Sequence, residues 1–207
     1  MIVAIDGPAG AGKGTLAKAL AERLGYPHMD TGALYRATAF AVLRAGNDPE
    51  DPVVAEAAAR ALDLTILDSV DLRSAEVGAA ASKVAALPAV RAALLDLQRR
   101  FARRPPGAVL DGRDVGTVVV PDAEVKLFVT ASARIRAHRR HKELLARGET
   151  SIYQRVLAEI EARDARDAGR ADAPMRKADD AVEIDTSDLS PDQVLERALV
   201  AIDRART

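Results

Sequence analysis

The sequence predicts an α/β fold in which helices cover both faces of a parallel five-stranded sheet. Short apolar stretches alternate along the chain with segments of helical periodicity. A glycine-rich loop at residues 7–15 follows the first apolar stretch and leads into the first helical pattern. This strand–loop–helix order is the context in which such a loop binds phosphate groups.

The apolar stretches predict five core strands. These strands cover residues 1–5, 26–29, 108–110, 125–129 and 182–184. Short, continuously apolar runs are typical of parallel strands that are buried on both faces. A weaker alternation over residues 62–67 predicts a further strand, and residues 69–72 a turn.

Helical periodicity with start and stop signals predicts the segments between the strands. Gly25 ends the first helix, Asp30 caps the second and Ser190 caps the last. The predicted helices cover residues 12–24, 33–44, 52–61, 76–86, 89–103, 132–147, 152–168 and 191–205. Because ligands bind beyond the carboxyl ends of parallel strands, the polar segments after the first three strands predict one cleft.

Composition excludes several classes of protein. Among 207 residues there are no cysteines and three histidines, so disulfides, thiolate chemistry and a zinc site are not expected. A net charge of −1 gives no bulk attraction to nucleic acids or membranes. No apolar run approaches the roughly 18 residues of a membrane span, and Asp6 interrupts the apolar opening. We expect a cytoplasmic protein with neither nucleic-acid nor membrane partners.

The glycine-rich loop has the pattern Gly-x-x-x-x-Gly-Lys. Its residues are predicted to bind the phosphates of a nucleotide: Gly7, Pro8, Ala9, Gly10, Ala11, Gly12, Lys13, Gly14 and Thr15. Backbone N–H groups and a helix N-terminus attract phosphate oxygens, and Lys13 adds a mobile positive charge for the β- and γ-phosphates. Gly14 stands where the usual hydroxyl ligand of Mg²⁺ would be, and Thr15 follows one position later. In this form the loop resembles that of nucleoside monophosphate kinases.

Four later segments extend the resemblance. They are residues 30–36, residues 80–85 with 88–91, the Asp-Gly-Arg-Asp-Val-Gly-Thr of residues 111–117, and the Arg-Asp-Ala-Arg-Asp-Ala-Gly-Arg of residues 163–170. With the loop, they resemble the bacterial cytidylate kinases in order along nearly the whole chain. The resemblance implies a P-loop kinase that transfers the γ-phosphoryl group of ATP to CMP or dCMP, with Mg²⁺. Adenylate, guanylate and shikimate kinases do not carry this set.

The resemblance also implies the acceptor site. Asp114 would accept a hydrogen bond from cytosine N4, and Arg91 would donate to N3 and O2, an edge that uracil reverses. Thr31 and Asp167 would accept from the ribose hydroxyls. The implied residues are Thr31, Arg36, Ser82, Arg91, Arg113, Asp114, Arg163, Asp167 and Arg170.

Catalysis in such a kinase is mainly alignment and charge neutralisation, so no general base is expected. Arg36 and Arg113 are expected to bind the acceptor phosphate through paired hydrogen bonds. The expected catalytic cations are Lys13, Arg113, Arg163, Arg166 and Arg170. A short arginine-rich lid over residues 151–177 would close over ATP and exclude water.

The chain is predicted to form one kinase domain and to act as a monomer. Its core would comprise residues 1–45, 105–150 and 178–207, with an insertion at residues 46–104 that binds the acceptor nucleotide. Residues 62–87 are fewer than in many bacterial cytidylate kinases, whose insert forms a small antiparallel sheet. That sheet would be shortened or lost here.

Several alternatives remain open. Asp111 could cap a helix or hold Mg²⁺ through water. Residues 163–170 could form a solvated helix in place of a lid, and residues 139–142 either an exposed helix face or a wall beside the adenine. The whole chain could instead phosphorylate UMP or AMP, or be a regulatory module that senses ATP without turnover. Such a module needs neither the acceptor segments nor the lid.

Overall fold

The fold contains a five-stranded sheet. The computed structural model describes residues 1–67 and 69–206 and contains the strands β1 (Ile2–Asp6), β2 (His28–Asp30), β3 (Ala108–Asp111), β4 (Val125–Thr130) and β5 (Val182–Asp185). Their spatial order is β2-β3-β1-β4-β5, and β1 pairs in parallel with both β3 and β4. The predicted α/β class and the five core strands are confirmed, and each strand ends one residue later than predicted.

Helices fill the connections between the strands. In the described part of the chain they are α1 (Lys13–Leu24), α2 (Thr31–Arg44), α3 (Pro52–Arg60), α4 (Ala75–Val84), α5 (Pro88–Ala102), α6 (Ala133–Ala146), α7 (Tyr153–Ala168) and α8 (Pro191–Arg206). Asp30 caps α2, accepting from the N–H of Ala33 at 3.1 Å. Ser190 Oγ accepts from the N–H of Gln193 at 3.3 Å, and Gly25 ends α1 with a φ of 67°. All three helix signals are confirmed.

Contacts divide the chain into two units. Unit 1 contains Met1–Met29 and Arg104–Thr207, and therefore α1, α6, α7, α8 and nearly all of the sheet. Unit 2 is Asp30–Arg103, in which α2 packs against α3 and α4, and α3 packs against α5. The division into a core, an acceptor-binding insertion and a lid is a functional one and stays a prediction.

The core of unit 1 lies between the sheet and the helices α1 and α8. Leu20 of α1 and Ile202 of α8 pack with the apolar side chains of β1, β3, β4 and β5. Val3, Ala4 and Ile5 are all fully buried, so both faces of β1 are covered. Burial of these apolar side chains is the dominant favourable contribution to folding.

The strand predicted over residues 62–67 is wrong. The chain forms a 3₁₀ helix there, Leu64–Ile66, and Asp63 caps it by accepting from the N–H of Thr65 at 2.9 Å. Leu64 remains 45% exposed, so the weak alternation does not reflect a face packed on a core. A second 3₁₀ helix, Val70–Arg73, occupies the predicted turn. The described residues between β2 and β3 contain no strand.

A π-helical segment, Val115–Val119, follows β3 and is not predicted from the sequence. The N–H groups of Val118 and Val119 both donate to the carbonyl of Asp114, at 2.9 and 3.2 Å. Segments of this kind are frequent at functional sites. No single helix in the described ranges combines the length and apolar character of a membrane span; α4 and α5 do so only together, with a bend of 97° between them.

Candidate active site

The predicted phosphate loop has a backbone shape that depends on glycine. Gly7 has a φ of 141°, and a Cβ on it would lie 1.9 Å from the carbonyl oxygen of Val129. Gly12, at the start of α1, has a φ of 94°. A Cβ on Gly12 or Gly14 would meet nothing within 4 Å, so the loop has an open side. The strand, loop and helix required by the motif are all present.

Side chains from outside the loop hold its carbonyl groups. Arg136 Nη1 donates to the carbonyl of Ala9 at 3.2 Å, and Thr186 Oγ1 donates to that of Ala11 at 2.9 Å. Neither Arg136 nor Thr186 is among the residues predicted from the sequence, because no motif marks them. Since protein donors occupy these carbonyls, the loop keeps its curl without a ligand, as a cup of N–H groups for phosphate requires.

Lys13 lies within the loop region that it is predicted to serve. The residue is 6% exposed, and its Nζ donates to the carbonyl of Pro8 at 2.8 Å. A buried ammonium group is stable only with polar or charged partners, and its positive charge acts on the neighbouring carboxyl group of Asp6. The ammonium group is therefore held at the base of the loop, next to the expected phosphate position.

Asp6, the last residue of β1, is a further buried group of the site. Its Oδ1 accepts from the N–H of Val115 at 2.8 Å, and its Oδ2 from that of Gly116 at 2.7 Å. Burial raises the pKa of Asp6 to about 6, the charge of Asp114 adds to the rise, and the two N–H groups and Lys13 oppose it. The carboxylate thus joins the residue before the phosphate loop to the turn after Asp114. In the sequence, this role of Asp6 is marked by a single charged residue between an apolar strand and a glycine-rich loop.

Asp167, near the end of α7, gathers three of the four predicted arginines of unit 1. Arg113 Nε donates to its Oδ2 at 2.9 Å, Arg170 hydrogen-bonds to its Oδ1, and Arg163 Nε lies 3.9 Å from Oδ2. Burial alone would raise the pKa of Asp167, but the three guanidinium groups outweigh it and hold the pKa below its usual value. One carboxylate among three arginines leaves a positive cluster suited to phosphate.

The interpretation of residues 163–170 as a solvated helix is too simple. Most of this stretch is helical, but Asp167 is only 1% exposed, so the helix is not a purely solvated one. Arg166 is exposed on α7 and stands apart from the cluster that Asp167 organises. That the segment closes over a nucleotide as a lid stays a prediction.

The interpretation of residues 139–142 as an exposed helix face is wrong for Arg139. Its Nη1 donates to Thr186 Oγ1 at 3.0 Å and its Nη2 to the carbonyl of Thr186 at 2.6 Å. His141 Nδ1 lies 2.8 Å from Ser151 Oγ and is partly buried. Arg139 therefore supports the threonine that holds the phosphate loop.

Asp111, the last residue of β3, is hydrogen-bonded to a histidine and does not cap a helix. Its Oδ1 lies 2.7 Å from His28 Nε2, and the residue that precedes the next helical segment is Asp114. Strand pairing sets Asp111 beside Ile5, close to where the phosphate loop leaves β1. Within residues 1–67 and 69–206, no three His, Cys, Asp or Glu side chains are grouped as a metal site. Mg²⁺ that arrives on phosphates needs only one or two carboxylates, so Asp111 fits that donor set.

Unit 2 contains the other predicted acceptor residues. Arg36 Nη2 donates to Asp30 Oδ2 at 2.7 Å, the same carboxylate that caps α2. Arg91 is 7% exposed, its Nη1 donates to the carbonyl of Ala85 at 3.4 Å, and its guanidinium lies 5.9 Å from the ring centre of Tyr35. A guanidinium over an aromatic face gains electrostatic stabilisation. Both arginines are thereby oriented by their neighbours.

Several buried polar atoms at predicted site residues lack hydrogen-bond partners among the described residues. They include Ser82 Oγ and Arg36 Nε in unit 2, and Arg170 Nε in unit 1. Ser82 and Thr31 are each 4% exposed. Buried polar atoms without partners are uncommon and unfavourable. Their presence at predicted site residues indicates positions that a polar ligand would complete.

Known proteins of similar sequence agree with these features. The family model described as "Cytidylate kinase" matches residues 3–204. A cytidylate kinase of Methylobacterium sp. (strain 4-46) is 64% identical over 181 residues, which cover 87% of this chain and 86% of that one. A cytidylate kinase of Azorhizobium caulinodans is 57% identical over 206 residues and is matched over 100% of both chains.

Among solved structures, an uncharacterized protein from Eubacterium ventriosum shares the fold. Its TM-score is 0.56 at 15% identity, over 99% of this chain and 98% of that one. The match to the family model spans the phosphate loop, the arginine cluster and every predicted acceptor residue. The chain therefore belongs to the cytidylate kinase family.

Proposed function

We infer that this chain is an ATP-dependent kinase for CMP and dCMP. It transfers the γ-phosphoryl group of ATP to the acceptor's phosphate, and the products are ADP with CDP or dCDP. The observation that carries this conclusion is the family match over residues 3–204, which includes both the donor and the acceptor segments. The high identity to named cytidylate kinases over nearly the full chain agrees with it.

On the donor side, we propose that residues 7–15 bind the phosphates of ATP. The loop's held carbonyls and its open side at Gly12 and Gly14 support this role. Lys13 contacts the β- and γ-phosphates and neutralises charge on the moving group. Lys13 Nζ already donates to the carbonyl of Pro8 in this loop. It therefore needs no large displacement to reach a phosphate oxygen that the loop binds.

For the acceptor base, the proposal assigns Asp114 and Arg91. Asp114 is 5% exposed and Arg91 is 7% exposed, so both would read cytosine away from bulk water. Asp114 accepts from the N4 amino group and Arg91 donates to N3 and O2. Uracil presents O4 where cytosine presents an amino group, and an unmatched buried polar pair is strongly unfavourable.

For the sugar and phosphate, the proposal keeps the remaining acceptor residues. Ser82 Oγ, buried and without a partner among the described residues, is available to the nucleotide. The hydroxyl of Thr31 is proposed to accept from a ribose hydroxyl. Asp167 accepts a ribose hydroxyl in addition to its arginines, because a carboxylate has about four acceptor sites. Arg36 and Arg113 bind the acceptor phosphate, and Arg163 and Arg170 complete the set of residues around the acceptor nucleotide.

Catalysis then needs positioning more than proton transfer. The phosphate of CMP is anionic near neutral pH and attacks directly, so no base is required. Arg163, Arg166 and Arg170 add positive charge when the lid at residues 151–177 covers ATP, and closure excludes water as a competing acceptor. The cluster on Asp167 supports this role, since its arginines are oriented before substrate arrives.

Mg²⁺ is proposed as the metal that accompanies ATP. Asp111 would hold it through a water molecule, which agrees with a carboxylate oriented by His28 at the end of β3. The ion supplies neutralisation of the negative charge on the β- and γ-phosphates. We further propose a cytoplasmic monomer whose partners are these nucleotides and neither nucleic acids nor membranes.

A coupled assay with ATP and each monophosphate tests the function. CMP and dCMP should be turned over far better than UMP or AMP, and EDTA should stop the reaction. A preference for UMP or AMP would show that the base-reading assignment is wrong. ATP binding without turnover of any acceptor would instead favour a nucleotide sensor.

A further inference from the structure

Arg136, on α6, joins three parts of unit 1 through one buried guanidinium. Its Nε donates to the carbonyl of Ala131 at 2.8 Å, and its Nη1 to the carbonyl of Ala9 in the phosphate loop at 3.2 Å. Nη1 and Nη2 also donate to the two carboxylate oxygens of Asp164 on α7, at 3.1 and 2.6 Å. A Cβ on Gly10 would lie 3.3 Å from Arg136 Cβ, so the loop also packs against this residue.

The charge of Arg136 is committed to Asp164. The arginine side chain is 5% exposed and that of the aspartate 25%. A buried guanidinium is stable only when it is paired and its donors are satisfied, and the paired, two-point contact with Asp164 does both. Arg136 therefore differs from the arginines around Asp167, which form a positive cluster.

Asp164 and Asp167 lie three residues apart on α7, and so on the same side of the helix. Each is held by an arginine from elsewhere in the chain, Asp164 by Arg136 and Asp167 by Arg113. The segment of α7 that carries the proposed catalytic arginines is thus fastened at two points. One of these points leads directly to the phosphate loop.

We propose that Arg136 is a positioning residue for phosphoryl transfer. It holds the phosphate loop through the carbonyl of Ala9, and through Asp164 it holds α7 at the distance from the loop that transfer requires. Positioning errors of about 1 Å can reduce turnover about 100-fold, so loss of this link should lower the turnover rate. The inference rests on the proposed kinase function.

Arg136 links the two elements through two arms: the loop arm is its contact with the carbonyl of Ala9, and the α7 arm is its contact with Asp164. Two variants separate these arms. Asp164→Asn releases α7 but keeps the contact between Arg136 and Ala9, so kcat should fall about 10- to 100-fold and KM for CMP should rise, while KM for ATP stays near the wild-type value. Arg136→Met releases both arms and should also raise KM for ATP. An identical kinetic profile for the two variants would contradict the proposal.

A double variant distinguishes positioning from simple stabilisation. Either single change leaves a charge without its buried partner and can lower stability, whereas Arg136→Met with Asp164→Asn removes both charges. If the pair only stabilises the fold, the double variant should recover kcat together with its folded fraction, measured by circular dichroism. We expect it to be folded yet at least about tenfold slow. Recovery of kcat to within about twofold would overturn the proposal.

Glu143→Gln is the matched control on the same helix. Glu143 pairs with Arg140 at 2.9 Å and with Arg147 on the exposed side of α6, and its loss should leave kcat and both KM values unchanged. Calorimetric titration with ATP adds a readout that needs no turnover, and Arg136→Met should bind ATP more weakly than wild type. If wild type does not phosphorylate CMP, the kinase function fails; if ATP affinity is also unaffected by Arg136→Met, the loop arm fails separately.

Discussion

Asp6→Asn tests whether the buried carboxyl group beside the phosphate loop ionises near pH 6. Burial raises the pKa of Asp6 from 3.8 to about 6, and the N–H groups of Gly116 and Val115 only partly oppose this. An acid with a higher pKa in the folded state binds protons preferentially when folded. The contribution of Asp6 to the free energy of unfolding is therefore greatest at low pH and falls as pH rises from 3.8 through about 6.

The size of the effect follows from the shift in pKa. A rise from 3.8 to about 6 corresponds to about 3 kcal/mol over the whole range. Between about pH 4.5 and about pH 7.5, the same relation gives a change of about 2 kcal/mol in the contribution of Asp6 to the free energy of unfolding. Asparagine cannot ionise, and its altered hydrogen bonding shifts stability by a constant amount. The difference in unfolding free energy between wild type and Asp6→Asn should thus fall by about 2 kcal/mol over this range.

Urea unfolding followed by circular dichroism at several pH values measures this difference. Asp63→Asn is a control of opposite character, because the hydroxyl and N–H of Thr65 hold the pKa of exposed Asp63 below 3.8. Its contribution is present above that value and is lost only at lower pH, so the difference for Asp63→Asn should stay flat across the same range. A flat or rising difference for Asp6→Asn would refute the reasoning.

Four further substitutions test the site and the core. Lys13→Ala should reduce turnover with every acceptor by at least about 100-fold, since it removes charge stabilisation in the transition state, and a coupled assay would expose any acceptor that is spared. Asp114→Ala should lower kcat/KM for CMP at least about tenfold more than for UMP, and equal losses would show that Asp114 does not read the base. Gly7→Ala should destabilise the fold by about 3 kcal/mol or more in urea titrations, because its Cβ would lie 1.9 Å from the carbonyl oxygen of Val129. Leu20→Ala removes a fully buried side chain and should cost about 2 to 5 kcal/mol in the same titrations without changing KM, whereas a loss below about 1 kcal/mol would contradict its place in the core.

The strands and helices of this fold were predictable because their signals are local. A strand buried on both faces must be apolar along its length, and capping residues such as Asp30 and Ser190 act within three residues of themselves. Residues 62–67 show the limit of such signals, since their alternation has no sheet to pair with. The π-helical segment after Asp114 was not predictable either, because a distant carboxylate, Asp6, holds its first N–H groups.

The candidate site likewise has parts that the sequence predicts and parts that depend on contacts between distant residues. The phosphate loop is a local motif, and the acceptor residues follow from resemblance to one family. The contacts of Arg136 with Ala9 and of Thr186 with Ala11 join residues 127 and 175 positions apart, so only the folded chain reveals them. Asp167 illustrates both cases: its motif was recognised, but its burial among three arginines depends on Arg113, 54 positions earlier.

Ser82 Oγ, Arg36 Nε and Arg170 Nε are buried without a hydrogen-bond partner within residues 1–67 and 69–206, and this has a thermodynamic consequence for ligand binding. A nucleotide group that hydrogen-bonds to one of these buried atoms should stabilise the complex by about 1 to 3 kcal/mol relative to a group that leaves the atom without a partner. Nucleotides that supply the missing acceptors raise the melting temperature by more than those that only fill space. The melting temperature of the purified enzyme with each nucleotide therefore ranks these ligands by how well their polar groups match the protein.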